Sequence, residues 1–179
     1  YLYRSHWNTN AVTCHLLPHW NWSGREGTNV PVYVYTSGDS AELFLNGRSL
    51  GRRTKKDCPA PPNFTSGMDA ALMAFWTNRD YYAVCDRYRL RWNEVPYEPG
   101  ELRAVCYRGG KKIGEAVMRT AGKPVAVRLT PESETLPDDD DTLVFVQVDL
   151  VDERGTHDPL ASDRVSFALS GPGEIVAVG

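Results

Sequence analysis

The chain has 179 residues, room for one large domain or two small ones, with 41% hydrophobic and 24% charged residues as in an ordinary globular protein. A net charge of −3 gives no electrostatic reason to expect nucleic acid or an anionic membrane as partner. No apolar run approaches the roughly 20 residues that span a bilayer, and Tyr1 to Trp7 lacks the apolar core and cleavage site of a signal peptide.

In chain order, residues 1–7 read as the last turns of a helix, because Tyr3 and Trp7 share a face at i, i+4. Strands follow from about residue 12. In Val32-Tyr33-Val34-Tyr35 a period of two puts valines on one side and tyrosines on the other. Glu42 to Leu50 reads as a hairpin, since Asn46-Gly47 accepts positive φ at both turn positions. Arg52 to Lys56 is a basic run expected at a solvated hairpin end. Residues 52–87 then break the rhythm as an insert. Pro59, Pro61 and Pro62 exclude regular structure, Ser66 and Asp69 have capping-box spacing, and Met68, Ala71, Leu72 and Phe75 fall on one helical face. A short helix is expected at about 67–76, inside a loop long enough to suggest a role.

Strand patterning resumes with Tyr88, Leu90 and Trp92 alternating against Arg89 and Arg91. Tyr97-Glu98-Pro99-Gly100 suits a type II turn. Leu102, Ala104 and Cys106 form the inward row of the next strand, and Gly109-Gly110 turns into Ile113 to Thr120. Ala121-Gly122-Lys123-Pro124 is the best domain boundary. Beyond it Val125, Val127 and Leu129 alternate, Leu143 to Val151 and Val165 to Leu169 read as strands, and Gly171-Pro172-Gly173 turns into a last one at the C-terminus. Short strands with closely spaced turns predict an all-β chain of two tandem immunoglobulin-like sandwiches, residues 14–121 and 122–179, the second incomplete. A chain that starts at Tyr1 and ends in mid-strand is expected to be a piece of a longer one.

Candidate chemistry is sparse. His15 and His19 on one strand face would stand about 13 Å apart, too far for one ion, and Pro18 argues against a helix that would unite them. Asp138 to Asp141 offers oxygens for calcium but lacks the spaced ligand pattern, so no metal and no cofactor is expected. Cys14, Cys58, Cys85 and Cys106 contain no CxxC pair; spacing leaves disulfides open, and free, mostly buried thiols are the preferred reading. No GxSxG, Walker or HExxH motif occurs. Glu94, Glu98 and Glu101 read as surface carboxylates, and no catalytic residue is assigned. Trp20 and Trp22 share a strand face and could stack on a sugar, though packing between domains is the commoner use of such rings. Trp76, Tyr81 and Tyr82 in the insert are the other sugar-stacking candidates.

The string His15-Leu16-Leu17-Pro18-His19-Trp20-Asn21-Trp22 with Gly24-Arg25-Glu26-Gly27 resembles the segment after the catalytic barrel of bacterial glycoside hydrolase family 2 enzymes of the β-galactosidase type. The similarity continues through Val30 to Thr36, Ala41 to Gly51, Val95 to Val105 and Arg119 to Pro124, and the insert departs from it. The resemblance implies a parent with a (β/α)₈ barrel using two glutamates in a retaining mechanism, both upstream of Tyr1, so none is carried over here. It makes residues 1–13 the end of that barrel, and the rest of the parent chain and its carbohydrate substrate the partners. The function expected is a non-catalytic accessory region. An autonomous carbohydrate-binding module is the alternative, and a small independent enzyme a third reading. Export to the periplasm is implied by the resemblance alone.

Overall fold

A computed structural model describes residues 1–8, 10–55, 88–135 and 142–179. Among these residues helix α1, Leu2–Trp7, precedes nine strands: β1 Cys14–Leu17, β2 Asn29–Thr36, β3 Ser40–Leu45, β4 Arg48–Thr54, β5 Leu90–Pro96, β6 Glu101–Arg108, β7 Lys111–Arg119, β8 Ala126–Pro131 and β9 Val146–Val151. All pairings between these strands are antiparallel. One sheet has the order β1-β2-β5, a second β4-β3-β6-β7, and β8 and β9 form a third by themselves. The expected all-β architecture is what the chain adopts, and the expected helix at 67–76 lies outside the described residues.

The first two sheets face each other because each alternates as a half-buried strand must. Val30, Val32, Val34, Leu90, Trp92 and Val95 point inward from one sheet, and Ala41, Leu43, Leu45, Leu102, Ala104 and Cys106 from the other. Fully burying each large aliphatic among them contributes about 1.5–3 kcal/mol. The Asn46-Gly47 turn has φ of 50° and 81°, the positive pair that matches the twist of β3 and β4. The Asn46 side chain then reaches across to β6, accepting from the Glu101 N–H at 2.8 Å and donating to the Pro99 carbonyl at 3.2 Å. This fixes the start of β6 against the hairpin.

Four expectations need correction. Cys14 and Cys106 are a disulfide rather than free thiols: they sit on facing strands of the two sheets with Cα atoms 6.2 Å apart, within bonding reach. Cys58 and Cys85 lie outside the described residues. Arg91, expected on an open strand face, is 1% exposed and engaged with other groups. The basic run at 52–56 is not simply a hairpin end, since Arg52, Arg53 and Thr54 pair with β3 as part of β4. Finally, among the described residues Val165 to Leu169 and those after Gly173 are not in strand, and β8 and β9 pair with each other. Apolar alternation sets which way side chains point but supplies no hydrogen-bonding neighbour. Val127, Leu129, Phe145 and Leu169 accordingly remain exposed.

Gly38 shows where the fold tolerates no side chain. A Cβ there would run into the Tyr107 carbonyl of β6, with Ile113 Cδ1 3.1 Å away. Backbone cannot move aside as a flexible side chain can. Gly38→Ala should therefore destabilise the sandwich by about 1–3 kcal/mol in urea unfolding. Gly47→Ala, which meets open space and pays only for its positive φ, should cost about 1 kcal/mol. Equal costs would show that Gly38 is not sterically required.

Candidate functional site

The segment after β1 carries several hydrogen bonds to residues distant in sequence. Leu17-Pro18 has a cis peptide bond, and the chain leaves the strand there. Trp20 turns inward and is 1% exposed, its ring edge-on to Tyr97 at 5.3 Å between centroids. Its indole N–H donates to the Glu98 carbonyl at 3.0 Å, and its own carbonyl accepts the Thr120 hydroxyl at 2.6 Å. The same Thr120 oxygen accepts from the Gly100 N–H at 3.1 Å. Trp20 thus gathers the β5–β6 turn through its indole and the residue after β7 through its backbone carbonyl.

Asn21, the next residue, faces the other unit. Its side-chain oxygen accepts from the Ala121 N–H at 2.9 Å, and its amide nitrogen donates to Asp158 Oδ1 at 3.1 Å. Asp152 completes the joint. It accepts from the Gly122 N–H at 2.9 Å with one oxygen, and from the Arg154 and Thr156 N–H groups at 2.9 and 2.8 Å with the other. These bonds hold its pKa below the ordinary carboxylate value, the Gly122 and Thr156 contacts contributing most. Nearby Asp149 is buried, which by itself would raise its pKa, but Gln147, Arg128 and His157 outweigh burial and lower it. His19 is shifted down by burial, against the pull of Asp158. Its Nδ1 accepts the Asn21 N–H at 3.2 Å, which requires that nitrogen to be unprotonated.

The aromatic candidates separate clearly. Trp20 is core, with no ring face open to a ligand, which corrects its place among the sugar-stacking candidates. Trp22 is half-buried, donates its indole N–H to the His19 carbonyl at 3.0 Å, stacks on His19 at 4.4 Å and has Arg25 5.2 Å from its ring centre. Trp76, Tyr81 and Tyr82 lie outside the described residues. The strand expected to unite Trp20 and Trp22 ends at Leu17, so the two rings are not a platform. His15 and His19 are also separated: His15 stacks with Tyr1 at 3.5 Å on the outer face of β1. Among the described residues no three His, Cys, Asp or Glu side chains gather as metal ligands. Glu98 and Glu101 are spent on surface pairs with Arg48 and Arg119, at 2.8 and 2.7 Å. Sequence reasoning missed Asn21, Thr120 and Asp152. Only Thr120, a polar residue beside the boundary, gave a hint.

Such a geometry defines a class of protein: a β-sandwich module whose buried polar groups are used to hold a second β unit in place. Comparisons with known proteins give the family. Residues 127–179 match a family model described as glycoside hydrolase family 2 C-terminal domain 5, and residues 27–114 match one described as a domain of unknown function (DUF4982). The chain is 33% identical over 178 residues to a β-galactosidase, BoGH2A, of Bacteroides ovatus, covering 99% of this chain and 17% of that protein. It is 36% identical over 125 residues to a putative β-glucuronidase of Formosa agariphila, covering 69% of this chain and 9% of that protein. A solved β-glycosidase from Bacteroides vulgatus superposes with a TM-score of 0.70 at 31% identity, over 96% of this chain and 18% of that one. The chain belongs to glycoside hydrolase family 2, as part of the C-terminal region of such enzymes. It spans a fifth or less of the length of the curated relatives it matches.

Two outcomes test the joint. Asn21→Ala removes an acceptor and a donor from a largely buried site, so it should cost about 1–3 kcal/mol in chemical unfolding. It should also make the stretch at 121–124 the first site of limited proteolysis; unchanged stability and cleavage would reject the clasp. The depressed pKa of Asp152 has a definite sign. Its folded value lies below its unfolded value of about 4, so its stabilisation is complete above pH 4 and is lost as pH falls through the folded pKa. The melting temperature should therefore drop as pH falls below about 4, and Asp152→Asn should flatten that limb. An unchanged acid limb in the variant would contradict the assignment.

Proposed function

We propose that the chain is a non-catalytic accessory region of a retaining β-glycosidase of the β-galactosidase kind, holding its own two β units in fixed relation and bearing on the catalytic part of the same chain. One observation carries this: nearly all of the chain aligns with a fifth or less of family 2 glycosidases. The chemistry of its own residues supports it. Retaining glycosidases need two carboxyl groups about 5–5.5 Å apart, one of them kept protonated. Glu98, Glu101 and Glu115 instead lie on the surface beside Arg48, Arg119 and Lys112. At Glu115 the hydrogen bond and charge of Lys112 lower the pKa, the opposite of what a general acid requires. The parent's barrel and its carbohydrate substrate are the partners this reading implies.

The purified chain should show no turnover of nitrophenyl β-galactoside or β-glucuronide. Turnover that disappears on mutating a carboxylate within the chain would overturn the proposal.

The aromatic residues of the insert have a place in this reading. We assign Trp76, Tyr81 and Tyr82, with Trp22 as a peripheral member, to contact with the sugar at the mouth of the parent's cleft. Aromatic faces suit apolar sugar faces, while hydroxyl and indole N–H groups remain available for hydrogen bonds. In the full-length enzyme Trp76→Ala should raise KM with little change in the melting temperature of this chain. A stability loss of roughly 3–5 kcal/mol with unaltered kinetics would show that Trp76 is instead a packing residue.

A further inference from the structure

The Cys14–Cys106 bond is not explained by anything the accessory role requires, and its surroundings are specific. Cys14 opens β1, a strand of four residues that among the described residues pairs only with β2. A strand so short contributes few ladder hydrogen bonds and would fray if nothing else held it. Cys106 lies in the middle of β6, is fully buried, and belongs to the facing sheet. The bond therefore crosses the core and ties the weakest strand of one sheet to a central strand of the other, 92 residues away in sequence. Gly114, the cross-strand partner of Cys106 on β7, keeps the space open. A Cβ there would lie 3.1 Å from Val12 Cγ1 and 3.7 Å from Cys14 Cβ. The consequences reach α1. Tyr1 stacks on His15, the residue after Cys14, and His15 lies 6.5 Å from the Tyr35 ring. Fixing β1 thus also fixes the seat of the helix that precedes it.

We propose that Cys14–Cys106 is a structural cross-link of the native protein, formed by exchange with a disulfide-bearing oxidase, and that the parent enzyme consequently works in an oxidising compartment. One thiolate attacks the oxidase disulfide, giving a mixed disulfide and releasing one oxidase thiol. The second cysteine thiolate then displaces the other oxidase sulfur. The two cysteines lose two electrons and two protons, and the oxidase leaves as the dithiol. Bonds of this kind persist outside the reducing cytoplasm and are rare within it.

The test uses the full-length protein in the cells that make it, with free thiols alkylated before lysis. Trypsin should release the peptide of residues 5–25 joined to the peptide of residues 104–108. The two peptides recovered separately, both alkylated, would overturn the proposal. For the purified chain, reductant should lower the melting temperature by roughly 10–20 °C, as expected for opening a loop of this length. In the double variant Cys14→Val and Cys106→Ala that drop should vanish, which separates this bond from any chemistry of Cys58 and Cys85. A drop that persists in the double variant, or no drop in the native chain, would refute the staple. The peptide assay stands even if the variant fails to fold.

Discussion

An indole buried in an apolar core must find an acceptor for its N–H or lose the free energy of a hydrogen bond. Trp20 meets that demand with the Glu98 carbonyl, and the rest of the joint follows from where this leaves its backbone. Its carbonyl then lies where the Thr120 hydroxyl can donate to it. The next side chain, Asn21, is left pointing at Ala121 and Asp158. Removing the ring would empty a large part of the sandwich end and release the Glu98 carbonyl of the β5–β6 turn. The two tasks, closing one core and orienting its neighbour, fall to consecutive residues.

The second unit depends on this joint more than the first does. Residues 14–120 have two facing sheets, a continuous apolar interior and a cross-sheet disulfide. Beyond Pro124 the described residues offer two paired strands whose apolar side chains are mostly exposed. Its local order comes largely from polar groups: Asp152 gathers three backbone N–H groups, and Asp149 accepts from Arg128 at 2.8 Å and Gln147 at 2.9 Å. Hydrogen bonds to a charged acceptor are stronger than neutral ones, so a unit with a thin core can still hold a defined shape around its carboxylates.

Much of the sandwich was legible in the sequence, because its signals are local. Val30, Val32 and Val34 declare an inward row by period two alone. Asn46-Gly47 declares a turn by the φ values it permits, and Leu102, Ala104 and Cys106 declare the facing row. The joint was not legible, because its meaning is non-local. Asn21 meets residues 100 and 137 positions away, and nothing in its neighbours marks it as a clasp. The cysteines failed for the same reason: Cys14 and Cys106 each look like a small apolar residue in a strand, and only the facing of β1 and β6 makes them a pair. Trp20 and Trp22 misled differently. A strand continued through Pro18 would have aligned them, whereas the bend at that proline sends one ring inward and leaves the other half-covered beside His19. Val165 to Leu169 misled because alternation without a neighbouring strand is only a pattern.

The most direct test of a fixed joint is amide hydrogen exchange at Ala121 and Gly122, followed with the Trp20 indole N–H as reference. These amides donate to Asn21 and Asp152 and lie between two β units. If the joint is part of one cooperative structure with the sandwich, all three protons should exchange slowly and at similar rates, set by opening of the sandwich itself. Rapid exchange at Ala121 and Gly122 beside a protected Trp20 indole would mean a free hinge, and would contradict the account.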